Sequence, residues 1–379
     1  MKVVVNIARF VIAITFLFSG FVKSVDPLGT QYKMHDYLEA MGFGGLLTGD
    51  WVLLGGAVTL SATEFVLGVL LLFAISRRLV TKIVLVMMVV MTCLTVWIYA
   101  ADPVEDCGCF GDALVLTNGE TLAKNIVLLA LAVPMAWKPL LMPRFISIRW
   151  QWITYYTAVA AIICLSAYSL YYLPLIDFRP YKVGADILAL MAIPEGAEEA
   201  KYETTFILEK DGEQKEFTLD DYPDSTWTFV DSKTKVISRG YVPPIHDLEI
   251  QDARSGEDIT DTVLTSKGYT LLLIAHHLEQ ADDSHFGEID QLYEWSKENG
   301  VAFYCLTASG HKGIEQWIET TGAEYPFCNV DETTLKTMVR SNPGLMLLKG
   351  GKIMGKWSHN NLPEAGSLLL QRRVKRNKV

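Results

Sequence analysis

Two cysteines separated by one glycine, Cys107-Gly108-Cys109, are the residues of this chain best suited to chemistry. A thiolate is the nucleophile of thiol–disulfide exchange, and glycine lets the backbone bend far enough for two such close thiols to bond. The ring would be tight, and a tight disulfide is easier to reduce, which suits exchange better than stapling. A structural disulfide and a pair of free or metal-bound thiols are the other readings of the same spacing. Asp102, Glu105, Asp106 and Asp112 flank the pair. Like charge raises a thiol's pKa, so the sequence predicts a reduced thiolate fraction at neutral pH.

Three more charged residues stand out because their surroundings are apolar: Arg9, Lys23 and Glu64. A charge inside a membrane-spanning helix costs roughly 2.5–3.5 kcal/mol on insertion scales unless it is paired or wetted. Glu64 could take a proton in a polar pocket, or serve in a structural clasp. Arg9 could pair with Glu64 if the helices tilt favourably, or snorkel to the interface. The remaining cysteines, Cys93, Cys164, Cys305 and Cys328, are too scattered for a disulfide scaffold. Cys305 and Cys328 read as core packing. His276, His277 and His285 do not make a metal site, because adjacent histidines at a strand end point opposite ways and a site needs three or four convergent ligands. No metal is expected.

The elements that must position these residues follow from composition. The chain has 379 residues, half of them hydrophobic, and a mean hydropathy of +0.24. Soluble domains rarely combine such values. Five apolar stretches are long enough to span a bilayer: 3–22, 51–75, 79–101, 121–137 and 152–176. No small-residue cleavage site follows the first, so it is a span and not a signal peptide. The stretch 21–50 is expected to carry a short surface helix. Basic residues cluster at Arg77, Arg78 and Lys82 and again at Lys138, Arg144 and Arg149, whereas 101–120 carries five acidic residues and no basic one. Basic loops stay in the cytoplasm. The N-terminus is therefore expected inside, with Cys107, Cys109 and everything after the fifth span outside. The charge total is 33 basic against 43 acidic residues, a net −10, and gives no basic face for nucleic acid.

After Asp177 the composition turns polar. Residues 202–208 and 216–219 read as one hairpin around Asp211-Gly212, and 226–230 with 235–238 as a second. Then come a buried strand at 269–275, a helix at 286–299, a strand at 301–306, a helix at 312–320, a short helix at 335–339, and a hairpin of 344–348 with 352–357. Strand, helix, strand, helix and hairpin make an α/β sandwich.

Three segments carry a resemblance: Ile245-His246-Asp247-Leu248, Tyr325-Pro326-Phe327-Cys328-Asn329-Val330-Asp331, and Ser341-Asn342-Pro343 ahead of a strand and Lys349-Gly350-Gly351-Lys352. This order resembles thioredoxin-like domains of the TlpA and peroxiredoxin type. The resemblance implies that Pro343 is the cis proline facing the active site. It also places the family's CxxC motif near Asp282-Asp283-Ser284-His285, where no cysteine stands. The usual dithiol exchange is thus excluded from that loop, and a binding role around Asp282, His285 and Pro343 is favoured.

The first span, with Arg9, Phe16, Ser19-Gly20-Phe21-Val22-Lys23 and Asp26-Pro27-Leu28-Gly29, and the second, with Glu64 and Gly68, resemble the DoxX family of small four-helix membrane bundles. Cys107-Gly108-Cys109-Phe110-Gly111-Asp112 resembles the cysteine motif of its MauE-like branch, which implies maturation chemistry outside the membrane. The expected architecture is an α-helical membrane bundle, four helices DoxX-like plus a fifth transmembrane helix, followed by an α/β thioredoxin-like domain with a small β-rich connector. The expected divisions are 1–137 for the bundle, 138–176 for the cytoplasmic loop and fifth span, 177–242 for the connector, 243–363 for the thioredoxin-like domain, and 364–379 for a basic tail. The resemblance implies an inner-membrane protein of thiol-disulfide maturation. Cys107, Cys109 and Glu64 would be its catalytic residues, and Pro343, Asp282, His285 and Arg9 its binding residues. A membrane quinone would be its electron carrier and an extracytoplasmic protein its client or redox partner. The alternative is a non-enzymatic envelope scaffold that recruits a partner through the degenerate domain.

Overall fold

The structure is a computed structural model describing residues 1–44, 49–104, 107–194, 196–197, 201–210, 213–218, 228–238 and 240–366, with 201–238 described as backbone. The first half contains α1 (Lys2–Val25), α2 (Pro27–Ala40), α3 (Asp50–Leu72), α4 (Arg77–Ala101), α5 (Asn118–Trp137) and α6 (Gln151–Tyr171). Five helices here are long and apolar enough to cross a membrane. The exception, α2, is the helix expected between the first two spans. Asp26 starts it by accepting a bond from the Gly29 N–H, and Pro27 occupies its first turn. Thr117 and Glu120 form a reciprocal cap at the start of α5.

Helix α1 buries one stripe: Val5, Ala8, Arg9, Ile12, Ala13, Phe16, Ser19, Gly20 and Lys23. That is the three-and-four spacing of a single helix face. Against it lies α3, very close. A Cβ on Gly20 would come within 2.4 Å of the Phe65 nitrogen, and one on Gly68 within 2.8 Å of the Leu17 nitrogen. Only glycine permits this approach, as at other membrane helix crossings.

The ends of the spans sort into two sides. Arg9 donates to the carbonyls of Leu71, Leu72 and Pro143, which puts the start of α1 beside the end of α3 and the α5–α6 loop. At the opposite end are the C-terminus of α1, α2, the Cys107–Cys109 loop and the soluble domain.

After the short α7 (Ile187–Met191) the connector has three strands, β1 (Lys201–Lys210), β2 (Glu213–Thr218) and β3 (Thr228–Ser238), in the order β2-β1-β3. The first hairpin matches the sequence expectation, with its turn at Asp211-Gly212 lying outside the described residues. The second hairpin does not form. Residues 228–238 are one continuous strand paired antiparallel to β1. Asp231-Ser232-Lys233-Thr234 has no glycine, asparagine or proline to reverse the chain, and its backbone pairs with Ile207 to Thr204 instead.

The remaining elements are β4 (Gln251–Asp252), α8 (Thr260–Thr265), β5 (Tyr269–Ala275), α9 (Phe286–Glu298), β6 (Ala302–Thr307), α10 (His311–Thr321), β7 (Phe327–Asn329), α11 (Glu332–Met338), β8 (Gly344–Lys349) and β9 (Lys352–Ser358). Their sheet order is β4-β7-β6-β5-β8-β9, with β5, β6 and β7 parallel, β8 antiparallel to β5 and to β9, and β4 antiparallel to β7. Strand β5 is apolar on both faces because both are covered. Leu271 and Leu273 pack with Ile289, Leu292, Ile314 and Trp317, whereas Leu272 and Ile274 pack with Leu335, Met338 and Val263. Cys305 belongs to the first layer and Cys328 to the second. They sit on opposite faces of the sheet, both buried, so they pack and do not bond. The Asn342–Pro343 peptide is cis. Strand order and cis proline together make this a thioredoxin-like domain.

Candidate functional site

The site is built at the end of α1. Lys23 forms a buried ion pair with Glu64, its Nζ lying 2.8 and 3.0 Å from the two carboxylate oxygens. Ser19, one turn earlier, places its Oγ 2.6 Å from Glu64 Oε2 and 2.8 Å from the Cys109 carbonyl oxygen. A hydroxyl has one hydrogen to give, so Ser19 chooses between the carboxylate and the cysteine loop. The glycine contacts between α1 and α3 make this geometry, because they bring the two backbones within reach of short side chains.

Of the two readings of Arg9, a pair with Glu64 and snorkelling, the pair does not form. Lys23 takes Glu64, and Arg9, fully buried, is satisfied at the other end of the bundle by three backbone carbonyls. Its guanidinium also lies 4.4 Å from the Phe145 ring centroid. Arg9 lies at the opposite end of the bundle from the thiols. The helix end of α3 offers unpaired carbonyls, and a five-donor fork satisfies them better than water can there.

The Cys107–Cys109 loop folds over the Lys23–Glu64 pair. Gly108 and Gly111 have φ of +57° and +51°, values that favour glycine. The two sulfurs lie 3.0 Å apart. Tyr37 of α2 donates its hydroxyl to the Cys107 carbonyl, and Lys124 of α5 sits 4.1 Å from the centroid of the Phe110 ring. Cys107 is buried and Cys109 half-buried.

The electrostatics reverse the expectation from the flanking acids. The two thiols share a hydrogen bond, and that bond lowers the Cys109 pKa to about 6; burial opposes the shift, and the Lys124 and Lys23 charges support it. Cys107 is raised by the same bond and by burial. The acids are occupied elsewhere: Asp102 accepts from Asn118, and Asp112 lies 3.7 Å from Arg340. Glu105 and Asp106 lie outside the described residues. Linear sequence predicted repulsion because it does not show two lysines from distant helices arriving at the loop.

Arg340, two residues before the cis peptide, reaches out of the soluble domain to this same corner. Its Nε lies 3.1 and 2.9 Å from the Asp26 oxygens and its Nη2 2.9 Å from Asp26 Oδ2. It covers the Tyr32 ring at 5.2 Å and donates to the Lys336 carbonyl. Burial works against the Asp26 charge, yet Arg340 and Arg179 hold its carboxyl below the ordinary value. Burial raises Asp112 despite Arg340. Arg340 escaped the sequence reading because nothing local marks it; its partner is 314 positions away.

The loop that replaces CxxC holds no cysteine. Asp282 accepts from the Ser284 N–H at 2.9 Å and its own N–H bonds the Asn342 carbonyl beside the cis proline. His285 sits 6.0 Å, ring to ring, from His359, and His359 Nδ1 lies 2.9 Å from Ser341 Oγ. Asp282 is exposed and His285 half-buried, whereas Pro343 is buried. Pro343 therefore offers no free face for a partner. His276 is buried against the Val339 carbonyl and pushed down to about 4 by desolvation, while His277 turns to Glu332 at 3.1 Å. Among the described residues no three metal-ligating side chains converge.

Residues 1–138 match the family described as methylamine utilisation protein MauE. The membrane half is MauE-like. Residues 202–239 match a domain of unknown function, DUF8463, which covers the three-stranded connector. No curated protein matches the chain. Among solved structures, a candidate protein disulfide isomerase from Bacteroides thetaiotaomicron is 18% identical, over 33% of this chain and 83% of that one, with a TM-score of 0.27. StoA from Bacillus subtilis is 14% identical, over 33% of this chain and 96% of that one, with the same TM-score. The chain is a multi-pass membrane protein with a MauE-like membrane half, and its soluble domain has the thioredoxin-like strand order without a CxxC pair.

Proposed function

We propose that this protein carries out thiol-disulfide exchange at the outer face of the bacterial cytoplasmic membrane, with Cys107 and Cys109 as the exchanging pair. The observation that carries the reading is the 3.0 Å approach of the two sulfurs in a glycine-hinged loop above the Lys23–Glu64 pair. Cys109, with the lower pKa, is the attacking thiolate; Cys107 keeps its proton and resolves. Attack on a substrate disulfide gives a Cys109 mixed disulfide and releases one thiolate. Cys107 then attacks Cys109 sulfur, passing its proton to the departing thiolate. The net change is one dithiol oxidised and one disulfide reduced, and the reverse sequence oxidises a client dithiol.

Glu64 holds Lys23 in place beneath the loop and offers Ser19 a second acceptor, so protons leaving the thiols have a polar path into the bundle. The basic loops at Arg77–Lys82 and Lys138–Arg149 support a cytoplasmic N-terminus. The soluble domain lies on the same side as the thiols and takes the docking role, with Asp282 and His285 on the side open to a partner protein.

The cavity beside the pair supports a membrane quinone as the electron carrier. That cavity, about 660 Å³, joins the thiols to apolar side chains of α3 and α4, with Leu60, Met91 and Leu94 placed to hold an apolar ring or tail. When bound, a quinone would supply the two-electron sink that returns the pair to its disulfide.

The test is the redox state of Cys107 and Cys109 in intact cells, by differential thiol labelling and mass spectrometry, with quinone turnover running and blocked. A pair that shifts between dithiol and disulfide supports exchange. A pair fixed in one state under both conditions makes the loop structural.

A further inference from the structure

The cavity that contains the thiols has two walls of different origin. Lys23, Cys107 and Cys109 come from the bundle, Tyr37 from α2, and Thr337 and Arg340 from the soluble domain. A space of about 660 Å³ accepts a small molecule and not a folded protein. Cys107 is only 8% exposed, so neither the bundle nor the cover leaves it on an open surface.

Arg340 fastens the cover. Its guanidinium binds both oxygens of Asp26, at the junction of α1 and α2 one turn beyond Lys23, and reaches Asp112 in the cysteine loop at 3.7 Å. Lys336, one turn earlier on α11, sits 4.6 Å from the centroid of the same Tyr32 ring that Arg340 covers. The anchor is supported from behind, since Arg179 donates to the Thr337 carbonyl and Arg340 to that of Lys336, at the C-terminal end of α11. A bidentate guanidinium–carboxylate pair at low exposure holds a fixed geometry, unlike a surface lysine pair.

We propose that Arg340 is the specificity-determining residue of the thiol site: latched to Asp26 and Asp112, it holds the thioredoxin-like domain over Cys107 and Cys109 so that low-molecular-weight thiols and disulfides reach them and a folded protein's cysteine does not. The substrate class rests on the exchange reading above; the cover itself does not. A small disulfide, RSSR, meets Cys109 thiolate, and two RSH leave as the Cys107–Cys109 disulfide forms. A protein client gains the same sulfurs only when the latch opens.

The experiment uses the full chain in lipid nanodiscs, with Cys93 and Cys164, which are exposed, replaced by alanine. Reduced protein is treated with N-ethylmaleimide or with a maleimide carrying a long poly(ethylene glycol) chain, and modification of Cys107 and Cys109 is followed by mass spectrometry. The wild-type latch should admit the small reagent and exclude the large one. Arg340→Ala and, independently, Asp26→Asn should speed the large reagent by about tenfold or more while changing the small one little. Equal reaction of the wild type with both reagents overturns the proposal, as do two folded variants that still exclude the large one. Labelling needs no turnover. A working cover over a pair that exchanges no small disulfide would therefore fail the exchange reading and leave the latch standing.

Discussion

The molecule has two places where a thioredoxin-like redox protein could keep a cysteine pair, and they have opposite fates. The loop before α9 has kept its geometry, with Asp282 bonded to Asn342 next to the cis proline and His285 starting the helix, but holds no sulfur. The loop between α4 and α5 has no thioredoxin geometry, yet it has two sulfurs 3.0 Å apart and two lysines to favour the thiolate. A thiol gains reactivity from nearby positive charge and hydrogen bonding, and either a helix end or buried lysines can supply them. The comparison teaches that fold and paired sulfurs lie apart here: the soluble domain has the thioredoxin-like strand order and the membrane domain holds the close cysteine pair.

The largest effect that tests this contrast is removal of the sulfurs. Cys107→Ser with Cys109→Ser should abolish exchange with a small disulfide while leaving the thermal unfolding of the detergent-solubilised protein close to wild type. Residual exchange in that variant would return the chemistry to another site. Next in size is the buried pair beneath the loop. Lys23→Met leaves the buried Glu64 charge without its cation, with the Ser19 hydroxyl as its remaining partner, and should cost about 3–5 kcal/mol in unfolding free energy, whereas Lys23→Met with Glu64→Leu should recover most of it. A single variant as stable as wild type would mean the pair is not desolvated.

Gly20→Val tests the helix contact that makes the pair possible. Its side chain must displace the Phe65 backbone and should cost about 1–3 kcal/mol, read as a lowered unfolding midpoint. A smaller effect is expected on reactivity. Cys109, held to about 6, should be alkylated by iodoacetamide with a rate that rises as pH passes through that value and then levels off. Removing a cation stabilises the protonated thiol, so Lys124→Met should move the curve to higher pH. An unmoved curve would leave the Cys107 hydrogen bond and the Lys23 charge as the causes. Smallest of all, Asp282→Ala on the empty loop should change stability by about 0.5 kcal/mol or less and leave exchange untouched.

Much of the architecture was legible in sequence because it depends on local composition. Five apolar stretches become five long helices, with ends moved by a few residues where caps such as Thr117–Glu120 intervene. The continuous apolar run of β5 and the glycines of the final hairpin likewise show in sequence. The connector's second hairpin was misread because two polar strand-like stretches look alike whether or not a turn separates them. At the site, the residues were visible one by one, Cys107, Cys109, Glu64 and Lys23 among them, but their partnerships were not.

The sequence by itself determined which segments enter a bilayer, where the glycines allow close approach and positive φ, and that the thioredoxin-like loop has no sulfur. Hydrophobicity, steric size and residue identity decide those matters within a few residues of chain. Only the tertiary structure decided that Lys23 and not Arg9 neutralises Glu64, that Lys23 and Lys124 come close to the cysteine loop, and that Arg340 pairs with Asp26. These are Coulomb and hydrogen-bond interactions that fall off over a few ångströms. Residues hundreds of positions apart come within that range only after the helices have packed.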